Sequence, residues 1–159
     1  MTVIVYMTKH GTTQKVANMI QSKYPFKKVE LINLAENKNP DLNAFENIII
    51  GGSIHAGVIQ KRIKNFCENN KELLLSKKLG LYLCCMEQGD KAILQLKNSF
   101  PEELRKHAKC TEILGGEFLF EKMNFVERAV VKKVSGIHKT VSRIKQDSIE
   151  EFANTFCAN

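Results

Sequence analysis

Short apolar runs alternate along this chain with stretches whose apolar residues recur every three or four positions. A wholly apolar run of four to eight residues suits a buried strand and a 3.6-residue period suits a helix, so the alternation points to an α/β architecture. Val3-Ile-Val-Tyr6 is β-branched and nearly all apolar, as a strand covered on both faces must be. Thr8-Lys-His-Gly-Thr-Thr13 follows, then Val16, Ala17 and Ile20 at helical spacing. Val29-Glu-Leu-Ile32 reads as a second strand and Asn47-Ile-Ile-Ile50 as a third, ended by Gly51-Gly52. A helix is predicted from about Val58, with Ile59, Ile63, Phe66 and Cys67 on one face. Leu79 to Cys85 is the fourth strand. Asp90 is predicted to cap a helix carrying Ile93, Leu96 and Phe100, which stops or turns at Pro101. Ile113 to Phe120 is predicted as an uninterrupted fifth strand, with Gly115-Gly116 marking a bend or a close backbone approach. Ile149, Phe152, Ala153 and Phe156 place a last helix at i, i+3, i+4, i+7 spacing.

The 159 residues fit one domain, 1–159, and a chain of this size builds a core without disulfides or metal. No apolar run approaches the ~20 residues of a membrane span. Met1 to Tyr6 lacks the basic start of a signal peptide, so a cytoplasmic location is expected. The five cysteines are odd in number and fit no disulfide framework or zinc spacing, which leaves reduced thiols packed as small hydrophobes. The net charge of +7 is local. Between Lys122 and Lys145 lie seven Lys and Arg residues against one acid, Glu127.

In a doubly wound sheet, ligands bind beyond the carboxyl ends of the strands, where the strand order reverses. Three loops rich in Gly and small polar groups fall there: Thr8–Thr13, Gly52–Val58 and Met86–Gly89. The first leaves a buried strand and enters a helix, so its amides form an anion site, with Thr8, Thr12 and Thr13 as hydroxyl donors. Neither a Walker loop nor a G-x-G-x-x-G fingerprint is present, and a terminal monophosphate fits better.

Thr8-Lys-His-Gly-Thr-Thr13 resembles the phosphate-binding loop of the flavodoxin family, whose pattern is hydroxyl-x-hydroxyl-Gly-x-Thr. Ile48-Ile-Ile-Gly-Gly-Ser-Ile-His-Ala-Gly57 is similar to that family's second flavin loop. Leu114-Gly-Gly-Glu-Phe118 and the Ile149–Ala153 helix resemble the branch that includes menaquinone-dependent protoporphyrinogen oxidase. The resemblance implies a flavodoxin-like, doubly wound, five-stranded parallel sheet of order 2-1-3-4-5 with helices on both faces. It also implies FMN as cofactor, its phosphate on Thr8, Lys9, His10, Gly11, Thr12 and Thr13. The ring would lie between Ser53, Ile54, His55, Ala56 and Gly57 on one side and Cys85, Met86, Glu87, Gln88 and Gly89 on the other.

Three departures stand out. His10 replaces the usual hydroxyl residue, neither ring loop carries Trp or Tyr, and the chain is basic where electron-carrier flavodoxins are commonly acidic. His55 reads two ways: a cationic imidazole that would raise the flavin potential, or an exposed loop histidine. Cys84 and Cys85 read as strand-end core residues rather than a thiol relay. The function implied is an FMN redox protein, either an electron carrier or a small oxidoreductase. The alternatives are a quinone-dependent protoporphyrinogen IX dehydrogenase in haem biosynthesis and a non-enzymatic module for an anionic partner. A phosphorylation receiver is excluded by the lack of acids at the first and third strand ends. Nucleic acid is not expected, because basic charge comes without a motif or interleaved aromatics. Val126, Ala129, Val130, Val134 and Ile137 form one stripe of the basic segment, predicted to pack on the sheet as its fifth helix. The alternative is an amphipathic helix lying on an anionic membrane surface at its inner face.

Overall fold

The structure, a computed structural model, describes residues 1–24 and 28–158. Five parallel strands form the central sheet: β1 (Thr2–Tyr6), β2 (Val29–Asn33), β3 (Asn47–His55), β5 (Lys78–Cys84) and β6 (Cys110–Ile113), in the order β2-β1-β3-β5-β6. That is the predicted doubly wound order, and it reverses between β1 and β3. The period-2 alternation of each strand sends its residues to two cores. Val3, Val5, Ile48, Ile50, Leu79, Leu81 and Leu83 face α2 (Lys61–Asn69), α3 (Lys71–Leu75), α4 (Gly89–Ser99) and α5 (Glu102–His107). Ile4, Tyr6, Ile49, Tyr82 and Cys84 face α1 (Thr12–Ser22) and α7 (Gln146–Cys157). Ile149, Phe152, Ala153 and Phe156 of α7 are all buried, as their spacing predicts.

Four local expectations are corrected. The helix predicted from Val58 begins at Lys61, because Val58–Ile59 (β4) first turns back antiparallel onto the long end of β3. Gln88, not Asp90, holds the N-cap position of α4. The fifth strand is Cys110–Ile113 rather than Ile113–Phe120. From Gly116 the chain leaves the sheet instead, and it returns at Arg143, whose N–H bonds the Gly116 carbonyl at 2.8 Å.

That excursion holds a two-stranded ladder of β7 (Glu117–Phe118) and β8 (Val141–Ser142), with α6 (Phe125–Ser135) between them. An insertion is therefore present where an uninterrupted strand was predicted. Gly115 makes the exit possible: its φ is +80°, and a Cβ there would lie 1.9 Å from the Arg143 carbonyl oxygen. Nor does α6 pack on the sheet. Every residue of α6 stays partly or fully exposed, with Phe125 at 87% and Val134 at 78%. A capping box between Asn124 and Glu127 and a left-handed Gly136 close its two ends, so local chemistry makes it a helix without core burial.

Candidate functional site

At the reversal of strand order, β1 ends in Thr8–Thr13 and runs into α1. Gly11 takes the N-cap position with φ +101°, a conformation few other residues adopt, and no described side chain caps the helix. Its amide donates to Thr8 Oγ1 at 2.9 Å, closing the loop on itself. The first-turn amides of α1 are thus left to an anion. Thr13 is fully buried, and its hydroxyl finds no hydrogen-bond partner among the described residues; the Cys84 thiol, a weak partner, lies beside it. An orphaned hydroxyl of this kind carries a desolvation cost that a ligand oxygen would remove. Tyr82 fixes the same turn from below, its buried hydroxyl donating to the Thr13 carbonyl at 3.1 Å. Gly51, opposite Tyr82 in the ladder, leaves room for that ring.

Thr12 behaves differently from its neighbour. Its hydroxyl donates to Glu117 at 3.1 Å, so its one proton is already committed and it is not the free donor predicted. Glu117, at the start of the excursion, also accepts from Lys15 at 2.8 Å and from Ser142 at 2.9 Å, with its side chain only 4% exposed. Burial opposes its ionisation, but these three hydrogen bonds prevail and hold the carboxyl below its usual range.

The second loop is the tip of a two-residue hairpin. Ala56 (φ 49°) and Gly57 (φ 80°) both take the left-handed turn conformation that such a tip requires. Gln60 ties this loop to the first. It accepts from the Ser53 N–H at 2.8 Å and donates to Ser53 Oγ at 2.6 Å and to the Met7 carbonyl at 3.2 Å. His55 Nε2 lies 3.0 Å from Ser53 Oγ, and its ring meets that of His10 edge-on at 6.0 Å. Burial first, then the charges of Lys9 and His10, push its pKa down to about 4. In the ligand-free chain His55 is therefore neutral near pH 7, and it is half-buried rather than an exposed loop residue. Burial also raises the pKa of the Cys84 and Cys85 thiols, consistent with core residues rather than a relay.

These elements enclose a cavity of about 250 Å³. It gathers Thr8, Lys9, His10, Thr12 and Thr13, then Ser53, Ile54, His55 and Ala56, then Cys85 and Met86. Gly11, the N-cap of α1, is not among the residues that line it. Gly57, Glu87, Gln88 and Gly89 do not line it: Gly57 is the outer residue of the hairpin tip, and Gly89 already opens α4. What the sequence reading missed is the opposite wall. Gly116, Glu117, Phe118, Met123, Val126, Glu127, Val130 and Val131, all from the excursion, face the loops. Phe118 supplies an aromatic wall that neither ring loop carries. Gly116 is the pinch point, where a Cβ would approach the Cys85 backbone to 2.8 Å. The Gly-Gly pair was the one available signal.

A flavodoxin-domain family model matches residues 3–144. The chain belongs to the flavodoxin family. Among solved structures, this flavodoxin-family chain is similar to the oxidised flavodoxin 2 of Bacillus cereus at 18% identity, with 98% of this chain and 96% of that one covered and a TM-score of 0.58. Flavodoxin 1 of the same organism matches at 16% identity over 98% and 95% of the two chains, with a TM-score of 0.56. The two-electron reduced flavodoxin of Megasphaera elsdenii matches at 17% over 73% and 83%, with a TM-score of 0.53. At these identities the likeness is one of fold. No curated protein matches the sequence.

Proposed function

We propose that this flavodoxin-family chain binds FMN in the cavity and works as a redox protein, either an electron carrier or a small oxidoreductase. The observation that carries the reading is the buried Thr13 hydroxyl, with no N or O partner among the described residues, beside a helix N-terminus that no described side chain caps, a donor set suited to a terminal phosphate. Bound there, FMN would supply the electron chemistry. Thr8, Thr13 and the free first-turn amides of α1 would hold the phosphate. His55, whose ring lines the cavity, would offer the flavin ring a hydrogen-bonding group. The apolar wall of Phe118, Met123, Val126 and Val130 would exclude water from its other side. The purified protein should be yellow and release FMN on denaturation. A colourless protein that cannot be reconstituted with FMN refutes the reading.

A second reading has one observation in its favour. The enzyme that dehydrogenates protoporphyrinogen IX with a quinone acceptor resembles long-chain flavodoxins, which have an extra loop near the fifth strand, and an excursion from Gly116 to Arg143 follows the fifth strand here. Reduction of a naphthoquinone that depends on added protoporphyrinogen IX tests it; its absence in an FMN-loaded preparation leaves the electron carrier. For partners we infer an anionic surface. Phe125, Val126, Val130 and Val134 are exposed on α6 beside Arg128, Lys132 and Lys133, a pattern suited to anionic lipid. Among the described residues no helix is long and apolar enough to cross a membrane, so such contact would be peripheral.

A further inference from the structure

The excursion touches the phosphate loop through side chains of opposite sign. Glu127, the third residue of α6, pairs with Lys9 and lies 3.5 Å from His10 Nε2, so it engages the second and third loop residues. Lys122, three residues before α6 begins, brings its ammonium to 3.4 Å from where a Gly11 Cβ would sit, directly over the loop. With so little of α6 buried, the Glu127 contacts tie the helix to the loop, and the Arg128 bond to the Phe120 carbonyl (2.7 Å) ties it to the buried turn before it. Glu117 pins the root of the excursion separately, through hydrogen bonds with Thr12, Lys15 and Ser142.

We propose that residues 117–142 form a phosphate-responsive strap, in which a ligand phosphate on the loop displaces Glu127 from Lys9 and His10 and recruits Lys122. A phosphate dianion repels the Glu127 carboxylate and competes for the Lys9 ammonium and the His10 ring N–H, while it attracts the Lys122 ammonium. Linkage is reciprocal: whatever phosphate does to the strap, the strap does to phosphate affinity. The ligand part rests on the FMN reading; the latch between Glu127 and Lys9 does not.

The two charges therefore act with opposite sign. Glu127→Gln keeps an acceptor for the Asn124 amide, so the capping box survives while the charge goes. It should raise the preference for FMN over riboflavin, which lacks the phosphate, by about two- to fivefold, the range of an exposed ion pair. Lys122→Gln should lower that preference by a similar factor. Glu121→Gln is the control: it removes an equal charge from the strap at a side chain that instead bonds Thr140 at 2.5 Å. It should leave the preference unchanged. Without flavin, amide exchange over 125–131 should quicken about two- to fivefold in Glu127→Gln and in Lys9→Ala. Added inorganic phosphate should quicken it in the parent chain more than sodium chloride of equal ionic strength. Equal preference in Glu127→Gln, Lys122→Gln and parent overturns the switch, and unchanged exchange in both latch variants overturns the latch. Should no variant bind FMN, the functional reading falls while the exchange comparison still decides the latch.

Discussion

Replacing Thr13 by Val separates the ligand-free chain from the loaded one, because the hydroxyl acts with opposite sign in each. Thr13 is fully buried, its Oγ1 bonds no described residue, and Val keeps its branched shape at the second position of α1. Without ligand the hydroxyl carries the desolvation cost of an unsatisfied group, about 1–3 kcal/mol. Thr13→Val should then stabilise the ligand-free chain by about 1 kcal/mol, and 1 kcal/mol moves Tm by about 2–4 °C for a domain of this size. With FMN bound, the same hydroxyl would donate to phosphate. A charge-assisted bond of about 1.5–3 kcal/mol corresponds to a roughly ten- to 150-fold loss of FMN affinity. Riboflavin affinity should not move. Thr12→Val is the counterpart: it takes a hydrogen bond from buried Glu117, so it should destabilise the free chain by about 1 kcal/mol and touch FMN affinity far less. Thermal unfolding of the flavin-free proteins and fluorescence titrations with both flavins provide the readouts. A lower Tm for Thr13→Val together with an unchanged FMN dissociation constant would show that this hydroxyl is not the phosphate donor.

Gly115→Ala forces a Cβ to 1.9 Å from the Arg143 carbonyl at a left-handed φ, so it should lower stability by about 2–3 kcal/mol in urea unfolding; an unchanged midpoint would mean the exit turn is soft. Ala56→Gly removes a left-handed, side-chain-bearing residue from the hairpin tip and should raise stability by up to about 1 kcal/mol, with destabilisation as the refuting result. His55, neutral when folded with a pKa near 4 against 6.5 unfolded, takes up its proton in the unfolded chain first. Stability should therefore fall as the pH drops from about 6.5 to 4, by roughly 3 kcal/mol in all, and His55→Gln should flatten that slope. Vesicles of anionic lipid should co-sediment the protein at low ionic strength and neutral ones should not, with Phe125→Ser and Val134→Ser weakening the association; no binding to anionic vesicles removes lipid as the partner.

The succession of strands and helices along the chain and the first loop were legible in the sequence because each is written in local chemistry, whereas the reversal between β1 and β3 followed only from the resemblance to the flavodoxin family. An apolar β-branched run makes a buried strand wherever it sits, and Val16, Ala17 and Ile20 bury one face of α1 by their spacing alone. The loop Thr8–Thr13 needs only Gly11 to turn. The opposite wall of the cavity had no such local signature. Whether Glu117 continues a strand or leaves the sheet depends on the Arg143 backbone meeting Gly116, a contact 27 residues away in sequence. Glu127 reads locally as a helix-capping acid, and it is one, yet folding also sets it against Lys9 and His10. The apolar stripe of α6 has the period of a core helix, but the sheet face it would need is already covered by α1 and α7. Local pattern determined which elements form; which side chains share the cavity, and which hydroxyl there finds no oxygen or nitrogen partner among the described residues, was decided by long-range packing.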